Sequence, residues 1–218
     1  MAKRIIDLSV ELEPGTPVFP AYEPFRVSIL ETTQDPPRDR RSLNSSRIAM
    51  GLHCGTHMDA PSHFIPGAAT IDQIPLQQCS GPALLIRLLD KGCGGLIEVK
   101  DLENYASRLR GLQKVVLDTG WRRRWEQPEY FSEHPLISGR AAEFLVDCEV
   151  HLVGIDMPSV DRPPYEAHLE FLGHNVLILE NLTNLEHIRS EVFELIALPL
   201  RLKAREASPV RAVALVTD

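Results

Sequence analysis

The hydrophobic and polar residues of this chain follow two kinds of pattern. Short apolar runs, rich in β-branched residues and bounded by turn residues, predict strands at 4–10, 45–52, 82–90, 114–118, 150–155, 176–179, 192–198 and 211–217. Segments with helical spacing predict helices at 101–111, 138–147 and 164–172. Because strands alternate with helices in the second half, we expect an α/β fold with a mixed, partly parallel sheet and flanking helices.

Capping residues and turn residues set the expected boundaries of these elements. Asp101 and Ser138 have the side chains of N-caps, and Gly111 is expected to stop its helix. The proline-rich segment 14–24 predicts an ordered loop, and the polar segment 32–43 predicts an exposed one. The sequence shows no repeat, low-complexity tract or linker, so we expect residues 1–218 to form a single domain.

The composition is that of an ordinary globular protein, with 44% hydrophobic and 24% charged residues. The net charge of −7, from 23 basic and 30 acidic side chains, argues against a nucleic acid or an anionic membrane as partner. No apolar run approaches the roughly 20 residues of a membrane span. We expect no signal peptide before the first predicted strand, and no Cys-x-x-Cys pair occurs. We therefore expect a cytoplasmic protein with free thiols that acts on a small molecule.

Residues 53–64, HCGTHMDAPSHF, contain the side chains best suited to chemistry. Imidazole nitrogen with carboxylate oxygen is a ligand set that zinc, manganese and iron prefer over calcium or magnesium. Helical spacing would place His53 and His57 on one face, and an extended chain would place His57 and Asp59 on one side. In either geometry these three residues can converge on one ion. Three protein ligands leave the open position that a catalytic metal needs.

His63 stands slightly further along the same segment. Gly55 and Pro61 argue against a long helix, so we expect a tight turn followed by extended chain. An extended chain would separate the Cα atoms of Asp59 and His63 by roughly 13 Å, which is long for two ligands of one ion unless the chain bends back. We therefore assign proton transfer to His63, since its ordinary pKa of about 6.5 suits both donor and acceptor roles. Cys54 is a candidate nucleophile by position only, and we predict a small filler residue.

The pattern His53-x-Gly55-Thr56-His57-x-Asp59-Ala60-Pro61-x-His63-Phe64 resembles the signature of the cyclase family of metal-dependent hydrolases. That family includes bacterial kynurenine formamidase, isatin hydrolase and proteins described as polyketide cyclases. Further blocks of the chain are similar to the family in the same order: Asp7-Leu8-Ser9, Asp118-Thr119-Gly120-Trp121, Gly154-Ile155-Asp156 and Glu180-Asn181-Leu182. The resemblance implies a swivelling β/β/α cyclase-like fold for the whole chain.

The resemblance also implies further ligands. Some family members hold a second metal bridged by the aspartate, and His168 and Glu180 match the positions of its other ligands. Glu180 ends an apolar run, where a partly buried carboxylate needs a partner. Asp156 and Asp161 are expected to brace turns by accepting from backbone amides. Two other histidines compete less well for a ligand role: His151 and His174.

The expected function is metal-dependent hydrolysis of an amide-type bond. The resemblance implies an aryl formamide or a cyclic amide as substrate, such as N-formylkynurenine or isatin, and hence a place in tryptophan catabolism. We expect a divalent metal, zinc first with manganese or iron as alternatives, at one or two ions per subunit. Four aromatic residues are candidate walls for the substrate ring: Phe19, Tyr22, Phe64 and Trp121. The resemblance further implies a homodimer or homotetramer, in which segment 14–24 could reach a neighbouring subunit.

Two other functions stay open on the sequence alone. One is a cyclase, dehydratase or lactonase that acts on a small carbonyl substrate, with the metal stabilising an enolate. The other is a metal-binding protein without catalysis. His63 distinguishes an enzyme from this second alternative, because a purely structural metal site has no need of an uncoordinated histidine beside it.

Overall fold

The structure is a computed structural model that describes residues 3–31 and 43–217. In it the apolar runs form a nine-stranded mixed sheet and two small two-stranded sheets, which we call ribbons. The strands in chain order are β1 (Lys3–Asp7), β2 (Arg26–Glu31), β3 (Ser45–Ala49), β4 (His57–Asp59), β5 (Ser80–Arg87), β6 (Leu96–Ile97), β7 (Lys114–Asp118), β8 (Leu136–Ile137), β9 (Leu152–Ile155), β10 (Leu177–Glu180), β11 (Val192–Ile196), β12 (Ala207–Pro209) and β13 (Val213–Thr217). The order across the large sheet is β1, β13, β11, β5, β7, β9, β10, β4, β12. Its central strands β5, β7, β9 and β10 are parallel and the outer pairs are antiparallel, which confirms the predicted α/β fold with a partly parallel sheet.

Two hydrophobic cores lie on the two faces of the sheet. The helices that cover one face are α1 (Val99–Leu102), α2 (Ala106–Leu112), α3 (Gly139–Asp147) and α4 (Glu166–Gly173). Since side chains alternate along a strand, Leu84 of β5 belongs to the core that includes Leu109 and Leu145 of the helices. Its neighbour Leu85 belongs to a second core, built mainly from strands, that includes Leu179.

The chain after β1 joins distant parts of the sheet. The Leu8 N–H donates to the Ala212 carbonyl, just before β13, and the Leu8 carbonyl accepts from the Thr183 N–H, just after β10. The sheet therefore curls, so that its N-terminal segment lies beside the end of β10.

Every predicted strand overlaps an observed one, but β2, β6, β8 and β12 are not predicted, and β4 is predicted only as extended chain. The strands β6 and β8 have two residues each, and β12 includes a proline. All residues of β2 are exposed, so no buried face stabilises this strand. The predicted strand 45–52 ends earlier than expected, at Ala49, and a turn region separates it from β4.

The first predicted helix has different ends from those expected. It begins at Val99 and not at 101, with Glu98 as N-cap, and Asp101 completes a capping box instead of serving as the cap. A 3-10 turn separates α1 from α2. The stop predicted at Gly111 is wrong, because that residue lies inside α2, which ends at Leu112 with Gln113, whose φ is 60°, as its C-cap.

The remaining helices and loops are closer to prediction. Ser138 caps α3 as expected, its Oγ accepting from the Ala141 N–H at 3.2 Å. The helix α4 begins after Tyr165, whose φ of 66° is left-handed. Segment 14–24 is a loop, as predicted, whereas the predicted loop 32–43 lies outside the described residues except for its last residue. Within the described ranges, no helix is long and apolar enough to cross a membrane.

Candidate metal centre

The strands β4 and β10 bring three ionisable side chains to one place. His57 and Asp59 are two residues apart in β4, so their side chains lie on the same side of the sheet. The strand β10 pairs with β4 in an antiparallel register that sets Glu180 directly opposite His57. All three residues are at most 4% exposed. His57 Nε2 lies 3.5 Å from Asp59 Oδ1 and 3.3 Å from Glu180 Oε2.

A tight turn before β4 adds His53 to this group. Gly55 in that turn has a φ of 66°, and a Cβ there would lie 2.5 Å from Leu12 Cδ2, so the position favours glycine. His53 Nδ1 lies 2.9 Å from Asp59 Oδ1. The expected geometry of a turn followed by extended chain is therefore observed, and His53, His57 and Asp59 converge.

The separations between these atoms fit a shared divalent ion. Two ligand atoms that are each about 2.1 Å from a tetrahedral zinc ion lie about 3.4 Å from each other. The three observed separations are 2.9, 3.5 and 3.3 Å. Neither His57 Nε2 nor Glu180 Oε1 has a hydrogen-bond partner among the residues that the structure describes, although both atoms are buried. Buried polar atoms without a partner are costly, and a cation between them would remove that cost.

His63 lies closer to this group than expected. The prediction of extended chain through His63 is wrong, because the chain turns in a 3-10 helix at Pro61–His63 and the His63 N–H donates to the Ala60 carbonyl. Its ring centroid is 4.2 Å from that of His53. Possible ligand atoms of Asp59, His63 and His168 all lie within 4.8 Å of one another, so His63 is within range for proton transfer and for metal binding alike.

His168 is aimed at the centre by a carboxylate behind it. Asp161 Oδ2 accepts from the backbone N–H groups of Ala167 and His168, at 2.6 and 3.2 Å, which confirms its predicted bracing role. Asp161 Oδ1 also accepts from His168 Nδ1 at 2.5 Å. This second contact was not predicted. It leaves His168 Nε2 free to face Glu180, whose Oε1 is 3.9 Å away.

Burial and neighbouring charges shift the pKa values of the central groups. Burial lowers the pKa of His57 to about 4, although Asp59 acts in the opposite direction. Burial also raises the pKa of Glu180 well above its ordinary value, and the charges of Asp59 and Asp161 add to this effect. For Asp59, burial is outweighed by attraction to the histidines, chiefly His53, and its pKa lies below the usual range. Hence His57 is neutral and Asp59 ionised at neutral pH, the forms in which both bind metals.

Aromatic rings line the group of histidines. The Tyr22 ring stacks on that of His53 with centroids 5.3 Å apart, and Phe19 packs edge-on against Tyr22 at 6.1 Å. The Phe64 ring stacks on that of His168 at 4.6 Å. Tyr22 and Phe64 thus contact candidate ligands, and Phe19 packs against Tyr22.

The fourth predicted wall residue, Trp121, lies elsewhere. It is 4% exposed in the helix-covered core, and its Nε1–H donates to the Tyr130 carbonyl at 3.0 Å. Trp121 therefore does not form part of a substrate wall at this site. Two residues near the centre were missed. Tyr165 packs 5.2 Å from Phe64, and Glu206 places its Oε1 3.9 Å from His53 Nε2.

The other candidates for chemistry contribute nothing to this group. Cys54 is buried, and burial raises the pKa of its thiol, so it is a poor nucleophile. His151 and His174 are exposed. His174 pairs with Glu170 on the surface of α4, with His174 Nδ1 and Glu170 Oε1 3.1 Å apart.

Known proteins share both the sequence and the fold. A family model described as "Putative cyclase" matches residues 6–162. The chain belongs to this cyclase family. Kynurenine formamidase of Bacillus cereus (strain ATCC 10987 / NRS 248) is 33% identical over 211 residues, which cover 95% of each chain. Kynurenine formamidase of Bordetella avium (strain 197N) is 34% identical over 217 residues, covering 97% of each.

Solved structures of similar proteins agree with this membership. Isatin hydrolase A from Labrenzia aggregata, bound to benzyl benzoate, superposes with a TM-score of 0.87 at 26% identity, covering 99% of this chain and 94% of that one. A structure described as a potential metal-dependent hydrolase with cyclase activity has a TM-score of 0.80 at 25% identity, with 100% of both chains covered. These comparisons confirm the predicted family and its cyclase-like fold. Like its relatives, this cyclase-family chain is a metal-dependent hydrolase of C–N bonds other than peptide bonds.

Proposed function

We propose that this protein hydrolyses an aryl formamide or a cyclic aryl amide, such as N-formylkynurenine or isatin, and so acts in tryptophan catabolism. The convergence of His53, His57 and Asp59 on one point, beside aromatic rings, carries this proposal. The relatives support the substrate class, since they are named kynurenine formamidase and isatin hydrolase.

We further propose which residues hold the metal. His53, His57 and Asp59 would hold one divalent ion, with zinc first and manganese as the alternative. Asp59, His168 and Glu180 would hold a second. When bound, the ion supplies a Lewis acid for the substrate carbonyl and a water of lowered pKa.

The protein's own side chains would manage the proton and the substrate ring. His63 would take the proton of the attacking water and return it to the leaving nitrogen, since it lies beside His53 with a ring that can hold or release a proton. Burial lowers the pKa of His63, so its ring is neutral and ready to accept at neutral pH. Phe19, Tyr22 and Phe64 would pack against the aryl group and exclude water from it.

A substrate panel combined with elemental analysis tests this function. The purified, metal-containing protein should hydrolyse N-formylkynurenine or isatin and leave simple lactones largely intact, because aromatic rings lie beside the candidate ligands. The same preparation should contain one or two zinc or manganese ions per subunit. Turnover of lactones alone, or of none of these compounds by a metal-loaded protein, would contradict the proposal.

We also propose that the chain, as one catalytic domain over residues 1–218, works as a homodimer or homotetramer in the cytoplasm. The ribbon of β2 and β3 supports the assembly. Val27, Ile29 and Ile48 share one face of it and are 41%, 73% and 61% exposed. An isolated two-stranded ribbon is marginally stable in water, and clustered exposed apolar side chains mark interaction surfaces.

A further inference from the structure

His57 is held from behind by a backbone carbonyl and not by a side chain. Its Nδ1 lies 2.9 Å from the Gly55 carbonyl oxygen. An imidazole can approach a carbonyl in this way only as a donor, so Nδ1 carries the hydrogen. The lone pair of Nε2 is then turned toward Asp59 and Glu180, as a metal ligand requires. The direction of this ring therefore depends on where the Gly55 carbonyl points.

The Gly55 carbonyl is fixed in turn by the side chain of Asn181. Asn181 Nδ2 donates to the Gly55 oxygen at 2.8 Å. The Tyr130 hydroxyl donates to Asn181 Oδ1 at 2.9 Å, which allows only one orientation of the amide. Tyr130 and Asn181 are 1% and 3% exposed, so water competes little for these contacts.

The backbone of Asn181 also connects the end of β10 to the turn that carries Gly55. Its carbonyl accepts from Thr56 Oγ1 at 2.8 Å, and its N–H donates to the Met157 carbonyl at 3.0 Å. Its φ of 59° is left-handed, a conformation that asparagine tolerates better than most residues. Asn181 thus ties the end of β10, where Glu180 lies, to the turn that carries Gly55.

We propose that Asn181 is a positioning residue for the metal centre: through the Gly55 carbonyl its side-chain amide holds His57 in the Nδ1–H form. The proposal rests on the proposed metal site but makes a separate statement about the imidazole. Asn181 does not face the reacting atoms. Its removal should disturb the tautomer and ring direction of His57, and through them the affinity for the ion.

The chain offers a matched control for this role. Asn184 also has a left-handed φ, of 58°, and its Nδ2 also donates to a carbonyl, that of Asp7, at 2.8 Å. Its amide has no contact with the turn at 53–56 in the contacts that the structure describes. Glycine adopts a left-handed φ without strain, so Asn181→Gly and Asn184→Gly each delete one amide and keep the backbone.

Long-range ¹H–¹⁵N spectra of the histidine-labelled, metal-free protein at neutral pH show the tautomer directly. The parent protein and Asn184→Gly should show His57 in the Nδ1–H form. Asn181→Gly should show a tautomer mixture and bind zinc about 10–100-fold more weakly in competition with a chelator, as expected when the outer hydrogen bonds that orient a ligand are disturbed. Tyr130→Phe should change the His57 tautomer and the zinc affinity in the same direction but by a smaller amount. If Asn181→Gly does not fold, Tyr130→Phe carries the test in its place.

Two results would overturn the proposal. One is a parent-like tautomer and zinc affinity in Asn181→Gly, or in Tyr130→Phe if that variant carries the test. The other is an equal loss in Asn184→Gly, which would show a general effect on folding. If the parent protein binds no divalent ion, the proposed function fails, whereas the tautomer of His57 still decides the role of Asn181.

Discussion

At the scale of single residues, the three histidines proposed as metal ligands have different partners behind them. The Gly55 carbonyl holds His57, and the Asp161 carboxylate holds His168. Behind His53 the structure describes Glu206, whose Oε1 lies 3.9 Å from His53 Nε2 and whose side chain is 40% exposed. Such outer partners fix the tautomer and direction of a ligand, so their loss should weaken metal binding more than it weakens the fold.

Asp161→Asn tests this for His168. An asparagine cannot accept from both the backbone amides of α4 and His168 Nδ1 as the carboxylate does, because one of its two atoms is a donor. We expect the affinity for the ion at His168 to fall about 10–100-fold, measured by chelator competition. The control is Glu170→Gln, which alters the exposed carboxylate–histidine pair at the other end of α4. Unchanged affinity in Asp161→Asn would contradict an orienting role.

His63→Ala tests the assignment of proton transfer. The variant should lose about 10²–10⁴-fold in kcat, the usual contribution of a general acid–base group, and keep its full metal content by elemental analysis. Loss of metal together with activity would make His63 a ligand, which its distance from Asp59 and His168 allows. Retention of both metal and rate would assign the proton to another group.

At the scale of elements, the buried strands could be predicted because their sequences are near-continuous apolar runs, as in β7, β9 and β10. The ribbon strand β2 could not be predicted in this way, since its stability does not come from a buried face. His53, His57 and Asp59 could be found because they are close in sequence. His168 and Glu180 followed only from the family resemblance. Glu206 could be predicted neither from closeness in sequence nor from the family resemblance, because it reaches the centre through the pairing of β12 with β4.

The close packing of β9 provides a test at this scale. A Cβ on Gly154 would lie 3.0 Å from both Leu182 Cδ1 and Val116 Cγ2. Gly154→Ala should therefore lower the free energy of unfolding by about 1–3 kcal/mol through overpacking, measured by urea denaturation at fixed metal content. Gly92→Ala, where a Cβ meets open space, should differ little from the parent. Equal stability of both variants would show that the sheet relaxes around the extra methyl group.

At the scale of the whole molecule, the curled sheet sets the metal centre near the segment that leads into the ribbon of β2 and β3. Tyr22 stacks on His53 only four residues before Arg26, where β2 begins. Contacts that a second subunit made with the ribbon would therefore lie close to the proposed substrate wall.

Charges on the apolar face of the ribbon test the proposed assembly. The double variant Ile29→Lys with Ile48→Lys should sediment or scatter light as a monomer of 24.4 kDa, whereas the parent protein should be larger. Leu200→Lys, at an exposed leucine outside the ribbon, should keep the parent mass. A monomeric parent protein, or an unchanged mass in the double variant, would rule out this surface as the interface.

The dependence of hydrolysis on a metal held by His53, His57 and Asp59 is tested most directly by removing and restoring the ion. Treatment with a chelator should abolish hydrolysis of N-formylkynurenine, and titration with zinc or manganese should restore it in proportion to the metal bound. His57→Ala should not recover, whereas His174→Ala, at an exposed histidine outside the centre, should recover fully. A preparation that elemental analysis shows to be free of metal, and that still hydrolyses the substrate at the full rate, would contradict the account.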